Sequence, residues 1–227
     1  GFEVTTTVWD FEMPPSNNCV FNTVNTTMNL MADCWTTETI LVPDGYTLNG
    51  NGYTITALDP AGGHFLGAVV ANAGTSRNVF KLTVTADNLA NVCDPNAPVD
   101  TRLRGILLNG GSGTIAHNTV TGINQGASGC QEGNAIEVRN ASFDGTGTSS
   151  LSVEIAHNVV TDYQKTGIVA NGNVEANIHH NQVGASATQS NLAANSIQLG
   201  FGASGWITQN QVDGNQWLGA SDTVGTA

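Results

Sequence analysis

The tetrapeptide Ile-Ala-His-Asn occurs twice, at 115–118 and 155–158, and each time a valine stands two residues beyond the asparagine. Two looser copies follow, so four segments fit I-x-x-N-x-V: Ile115, Asn118, Val120; Ile155, Asn158, Val160; Ile178, Asn181, Val183; and Ile207, Asn210, Val212. The isoleucines are about 40, 23 and 29 residues apart, the uneven period of a stacked array whose loops differ in length. A second apolar run precedes each motif: GILLNGG from 105, AIEVRN from 135, GIVANGN from 167 and SIQLGFG from 196. In an earlier copy Val79, Leu82 and Val84 take the motif positions. Before that, TILVPDGYTLNGNGYTITAL (39–58) reads as three strands divided by Pro-Asp-Gly and Asn-Gly-Asn-Gly turns.

One unit is therefore strand, Asn/Gly turn, strand, variable loop, recurring about every 30 residues. Units alike in direction and order pair most simply in parallel, coil on coil, and parallel crossovers are right-handed. Neighbouring coils then lie about 4.8 Å apart, and each motif position becomes a column. The expected fold is all-β: a right-handed parallel β-helix, or solenoid, with a disulfide-stapled N-terminal cap. Its isoleucines and valines stack as inner-wall columns that only their neighbours cover. Asn118, Asn158, Asn181 and Asn210 form a structural ladder in one turn column, satisfying buried amides between coils. Three regions are expected: strand and cap over 1–38, coils over 39–218, and a polar tail over 219–227.

From Thr39 to Leu218 the chain resembles the right-handed parallel β-helix superfamily that includes pectate lyases and other carbohydrate-active solenoids. GCQEGNAIEVRN, YQKTGIVANGN and NSIQLGFGASG are also similar to segments of uncharacterised secreted bacterial β-helix proteins. The resemblance implies fold and export. The motifs of the family's enzymes are missing: CDPN at 93–96 and GGH at 62–64 are fragments of them.

Charge narrows the partners. Eighteen acids against 6 bases give a net charge of −12, which opposes nucleic acid and anionic lipid, since both are bound by clustered Lys and Arg. No apolar run is long enough to insert in a membrane. The four cysteines include no C-x-x-C, so zinc held by thiolates is not expected. Their spacing suggests disulfides Cys19–Cys34 and Cys93–Cys130, and an even count in an acidic chain suits an extracellular or cell-surface setting.

The few bases gather near the second apolar runs. If the chain were a lyase acting on an acidic glycan, Arg139 with Tyr163 or Lys165 would neutralise the sugar carboxylate and take the C5 proton. Glu132, Glu137, Arg139, Tyr163, Lys165 and Gln198 are the candidate carbohydrate-binding residues. The structural alternative is a surface ladder of ion pairs, with Glu137 and Arg139 pointing outward from AIEVRN. His117, His157 and His180 precede the ladder asparagines and are candidates for a metal site. A column presents parallel rings, whereas metal ligands converge, so stacking is the expected role and no cofactor is assigned. The leading reading is a non-catalytic surface, adhesive or filament-forming subunit. Its partner would be another copy or another surface protein, reached through the chain ends or the strand Phe2–Trp9. The alternatives are a polysaccharide lyase or hydrolase and a carbohydrate-binding module.

Overall fold

A computed structural model describes residues 15–92, 99–126, 130–142, 145–146, 149–188 and 192–215. The proposed strand Phe2–Trp9, Cys93 and the tail 219–227 lie outside the described residues. Twenty-two short strands and no helix are found among those described, and none of the chain forms a helix long and apolar enough to cross a membrane there.

The strands build three sheets. The first runs β1 (Phe21–Val24), β2 (Thr27–Leu30), β5 (Thr47–Asn49), β8 (Ser76–Phe80), β11 (Ser112–Ala116), β15 (Leu151–Ala156), β18 (Val174–His179) and β21 (Ser204–Thr208). The second runs β4 (Ile40–Val42), β7 (Ala68–Asn72), β10 (Arg104–Asn109), β13 (Asn134–Ser142), β17 (Thr166–Gly172) and β20 (Asn195–Gly200), with β14 (Gly145–Thr146) turned back on β13. The third runs β3 (Cys34–Thr36), β6 (Thr54–Ala57), β9 (Thr83–Ala86), β12 (Thr119–Thr121), β16 (Val159–Thr161), β19 (Gln182–Val183) and β22 (Gln211–Val212). Neighbours are parallel except β1 against β2 and β13 against β14.

The chain visits the second, first and third sheets in rotation, as in β10, β11, β12 and again in β17, β18, β19. One circuit thus holds three strands rather than two, because I-x-x-N-x-V itself spans two. Its isoleucine is the penultimate residue of a strand of the first sheet and its valine lies in the third. The bend between them is a single residue in the left-handed region: His117 (φ 59°), His157 (57°), His180 (55°) and Gln209 (55°), with Lys81 (51°) in the earlier copy. A one-residue corner leaves no run of turn residues in the sequence, which hides the boundary. Histidine is among the non-glycine residues that tolerate this conformation best.

Parallel pairing also begins earlier than residue 39, since β2 already pairs with β5 and β3 with β6. Inside, Ile106, Ile136 and Ile168 are in register on the second sheet, Ile115, Ile155 and Ile178 on the first, and Val120, Val160 and Val183 on the third. All nine are at most 1% exposed. Each fully buried aliphatic side chain contributes about 1.5–3 kcal/mol, and every one depends on the circuit above and below. At the N-terminal end Cys34, paired with Ile55, forms a disulfide with Cys19.

Candidate functional site

At the corner, each ladder asparagine faces inward and uses both ends of its amide. Asn158 Oδ1 accepts from the backbone N–H and Nδ2 of Asn118, each at 3.0 Å. Its own Nδ2 donates to the Ile115 carbonyl (2.9 Å) and to Asn181 Oδ1 (3.0 Å). Asn181 repeats the pattern with Ile155 and Asn210. The column ends at Leu82, whose backbone N–H donates to Asn118 Oδ1 at 3.1 Å. Asn118, Asn158 and Asn181 are each 1% exposed, so this is internal scaffold, closed to any ligand.

The outer face of the second sheet carries most of the charged candidates. Alternation does turn Glu137 and Arg139 away from the apolar core, but they are buried beneath the segment that enters β10. Asp100, on that segment, accepts from Arg104 Nη2 (2.8 Å), Arg102 Nε (2.9 Å) and Arg139 Nη1 (2.5 Å). Arg104 Nε meets Glu137 Oε2 at 2.6 Å, and Asn134 Nδ2 donates to the same oxygen at 2.7 Å. Glu132 Oε2 accepts from the Leu103 N–H at 2.7 Å. Three guanidinium groups thus meet two carboxylates, Asp100 and Glu137, with Glu132 held on the Leu103 N–H beside them. The expected surface ion-pair ladder is instead a network that buries Arg104, Glu137 and Arg139 and leaves Arg102 partly exposed at its rim. Over the buried pairs the covering segment excludes the water that would otherwise weaken them.

The electrostatics follow from that enclosure. Burial by itself would raise the Asp100 pKa, but hydrogen bonds and charge from Arg102 and Arg104 outweigh it and hold the carboxyl well below the usual range. Burial likewise works to raise Glu137, and the Arg104 charge and hydrogen bond reverse it. Glu132, with weaker compensation, is shifted upward by burial. Arg139 is lowered by burial and by the neighbouring Arg104 charge.

The remaining carbohydrate candidates do not join this network. Tyr163 is fully buried; its hydroxyl donates to Asn215 Oδ1 at 2.7 Å, and burial raises its pKa. A phenol so placed cannot reach the C5 proton of a glycan lying on the surface. Lys165 Nζ donates to the Ala193 carbonyl at 2.9 Å, and burial lowers its pKa. Gln198 accepts from Asn195 Nδ2 at 2.8 Å. Arg139 is thus engaged by Asp100, Tyr163 by Asn215 and Lys165 by the Ala193 carbonyl.

The histidines of the corner column do stack. Ring centroids of His117 and His157 lie 4.9 Å apart with planes 2° from parallel, and His157 and His180 are 4.9 Å apart at 21°. Sequence reasoning overlooked His179, one residue outside the column, which stands nearly perpendicular to both His157 and His180. Its neighbour in the His-His pair was the only signal that could have drawn attention to it. Cys130 is also disulfide-bonded, while its expected partner Cys93 lies outside the described residues. Searches of protein-family models, curated proteins and solved structures found no match to this chain.

Proposed function

We propose that the chain is a right-handed parallel β-helix serving as a non-catalytic, extracellular structural subunit that builds surface or filament assemblies by end-to-end contact. The observation that carries this reading is the last described circuit. Ile207 and Val212 are 47% and 46% exposed, whereas Ile178 and Val183, one circuit earlier in the same columns, are buried. Trp206 (61%) and Phe201 (81%) add apolar surface beside them. Among the described residues β20, β21 and β22 each end their sheet, leaving strand edges open to addition.

The opposite end is different in kind: Val20, Val24 and Met31 are exposed around the antiparallel pair β1 and β2. Contact between unlike ends is heterologous and grows into a filament when its rotation does not close. The handedness rests on the crossover rule, and the extracellular setting on the disulfides. A non-catalytic role is supported by the enclosure of Arg104, Glu137 and Arg139 and by the burial of Tyr163. Sedimentation velocity of the wild type beside an Ile207→Asp/Val212→Asp variant tests the reading. The wild type is expected to form a concentration-dependent series of oligomers, and the variant to stay monomeric with unchanged circular dichroism. Equal behaviour of the two would sink the proposal.

One observation favours the carbohydrate-binding module as second reading. A cleft of about 350 Å³ follows the third-sheet strands, lined by Asn88, Asn124, Gln125 and Asp162 among others, a size at the small end of ligand sites. Calorimetric titration with neutral and acidic oligosaccharides, and loss of any binding in Asn124→Ala, separates this reading from the first.

A further inference from the structure

We propose a binding site for a divalent transition metal of the zinc class, formed by His157, His179 and His180 with Glu154 as the orienting carboxylate. The proposal is independent of the assembly reading. One potential ligand atom from each of the three histidines lies within 4.8 Å of the others. In a tetrahedral shell with metal–nitrogen bonds of about 2.0–2.1 Å, ligand nitrogens sit about 3.3 Å apart. Closure of the group onto an ion thus asks for movements of roughly 1.5 Å. His157 and His180 are exposed and His179 partly so, which leaves their rings room to turn.

The objection to a histidine column as a metal site is that parallel rings do not converge. His179 removes it. Its plane lies 84° from that of His157 and 83° from that of His180, so it approaches the shared space from a second direction. Its two nitrogens are also already divided between two tasks. Nε2 lies 3.1 Å from Glu154 Oε1, and Nδ1 lies 2.9 Å from His180 Nδ1. An ionised carboxylate only accepts, so the Nε2 proton belongs on His179, and Nδ1 presents its lone pair toward His180. That is the carboxylate–histidine–metal arrangement, in which the distal N–H donates to a carboxylate and the near nitrogen binds the ion.

With both rings neutral and His179 protonated on Nε2, the proton between the two Nδ1 atoms belongs to His180 Nδ1 in the metal-free protein. Binding moves that proton to His180 Nε2 through solvent, a change of tautomer with no net proton released, and both Nδ1 lone pairs then face the ion. Imidazole ligands suit zinc, copper and nickel over magnesium or calcium. Three protein nitrogens leave a fourth position for water or for a donor from another molecule.

Isothermal titration of the full chain with zinc chloride tests this, in the wild type and in His179→Gln, His180→Gln, Glu154→Gln and His117→Gln, each checked for fold by circular dichroism. The expected result is one ion per chain with a dissociation constant of about 10 μM or tighter. His179→Gln and His180→Gln should weaken binding at least tenfold, and Glu154→Gln by about ten- to a hundredfold, as loss of an orienting carboxylate does. Glu154 is half exposed, so its replacement keeps the test valid should a histidine variant misfold. His117→Gln, in the column but outside the trio, should bind within about twofold of wild type. No uptake up to about 1 mM, or affinity indifferent to both His179→Gln and Glu154→Gln, would overturn the proposal.

Discussion

The asparagine corner and the arginine–carboxylate face both bury polar groups, and they do so by opposite means. At the corner four successive circuits supply the same neutral amide, and the inner amides are satisfied by their copies and by the isoleucine carbonyl of the adjoining circuit. On the second sheet's outer face charges of unlike origin converge once, beneath one covering segment, and some donors and acceptors are left over: Arg139 Nε and Asn134 Oδ1 have no hydrogen-bond partner. A repeated neutral ladder spreads its dependence over many equal bonds. A single ionic cluster concentrates it in a few groups, where loss of one leaves another charge stranded.

The largest effect should therefore come from the face. Arg104→Ala strands Glu137, 2% exposed, and should cost about 3–5 kcal/mol, the usual result of breaking a buried pair. Arg104→Met/Glu137→Met removes both charges and should sit nearer wild type than Arg104→Met or Glu137→Met alone. Chemical denaturation of the three proteins checks this, and a double variant as unstable as the sum of its parts would contradict it. Acid acts on the same groups. Asp100 and Glu137 have folded pKa values depressed below their unfolded values. Their stabilisation is present above the ordinary carboxylate range and is lost as pH falls below about 4. Glu132, raised by burial, has the opposite sign: it favours the folded state when protonated and opposes it as pH rises through its folded value. Thermal melts between pH 6 and pH 2.5 should show a steeper acid loss in wild type than in the double methionine variant.

At the corner the effects are smaller and graded by position. Asn158→Ala should cost about 1–3 kcal/mol, because it leaves partners unsatisfied on both neighbouring circuits. Asn210→Ala, at the end of the described ladder with a neighbour on one side only, should cost less. Equal losses would mean that the ladder does not act as a chain of bonds. Smallest is the turn residue beside it. His117 has φ 59°, so His117→Ala should be about 1 kcal/mol less stable than His117→Gly, since only glycine occupies that region freely. Thermal denaturation of the pair reads the difference.

The same contrast explains what was legible in the sequence. Columns repeat, so Ile115, Asn118 and Val120 announce their neighbours and the parallel pairing that joins them. The ionic face does not repeat. Alternation turned Glu137 and Arg139 outward, but Asp100, which encloses them, arrives from a loop with no copy elsewhere. Tyr163 lies in the turn between β16 and β17, where alternation assigns no direction, and it buries itself against Asn215. The one-residue corners were hidden because histidine and glutamine do not advertise a bend as Asn-Gly does. His179 was missed since only its own circuit places a histidine there.

Assembly through the open last circuit is tested most directly by static light scattering of the full chain from about 1 to 100 μM, a span that brackets a micromolar dissociation constant. Average mass rising steadily with concentration, without a plateau at the dimer, is the expected result for a heterologous contact between unlike ends. A mass that stays at the 23.5 kDa of one chain throughout would contradict the structural-subunit reading and leave the polar cleft at Asp162 as the better guide to function.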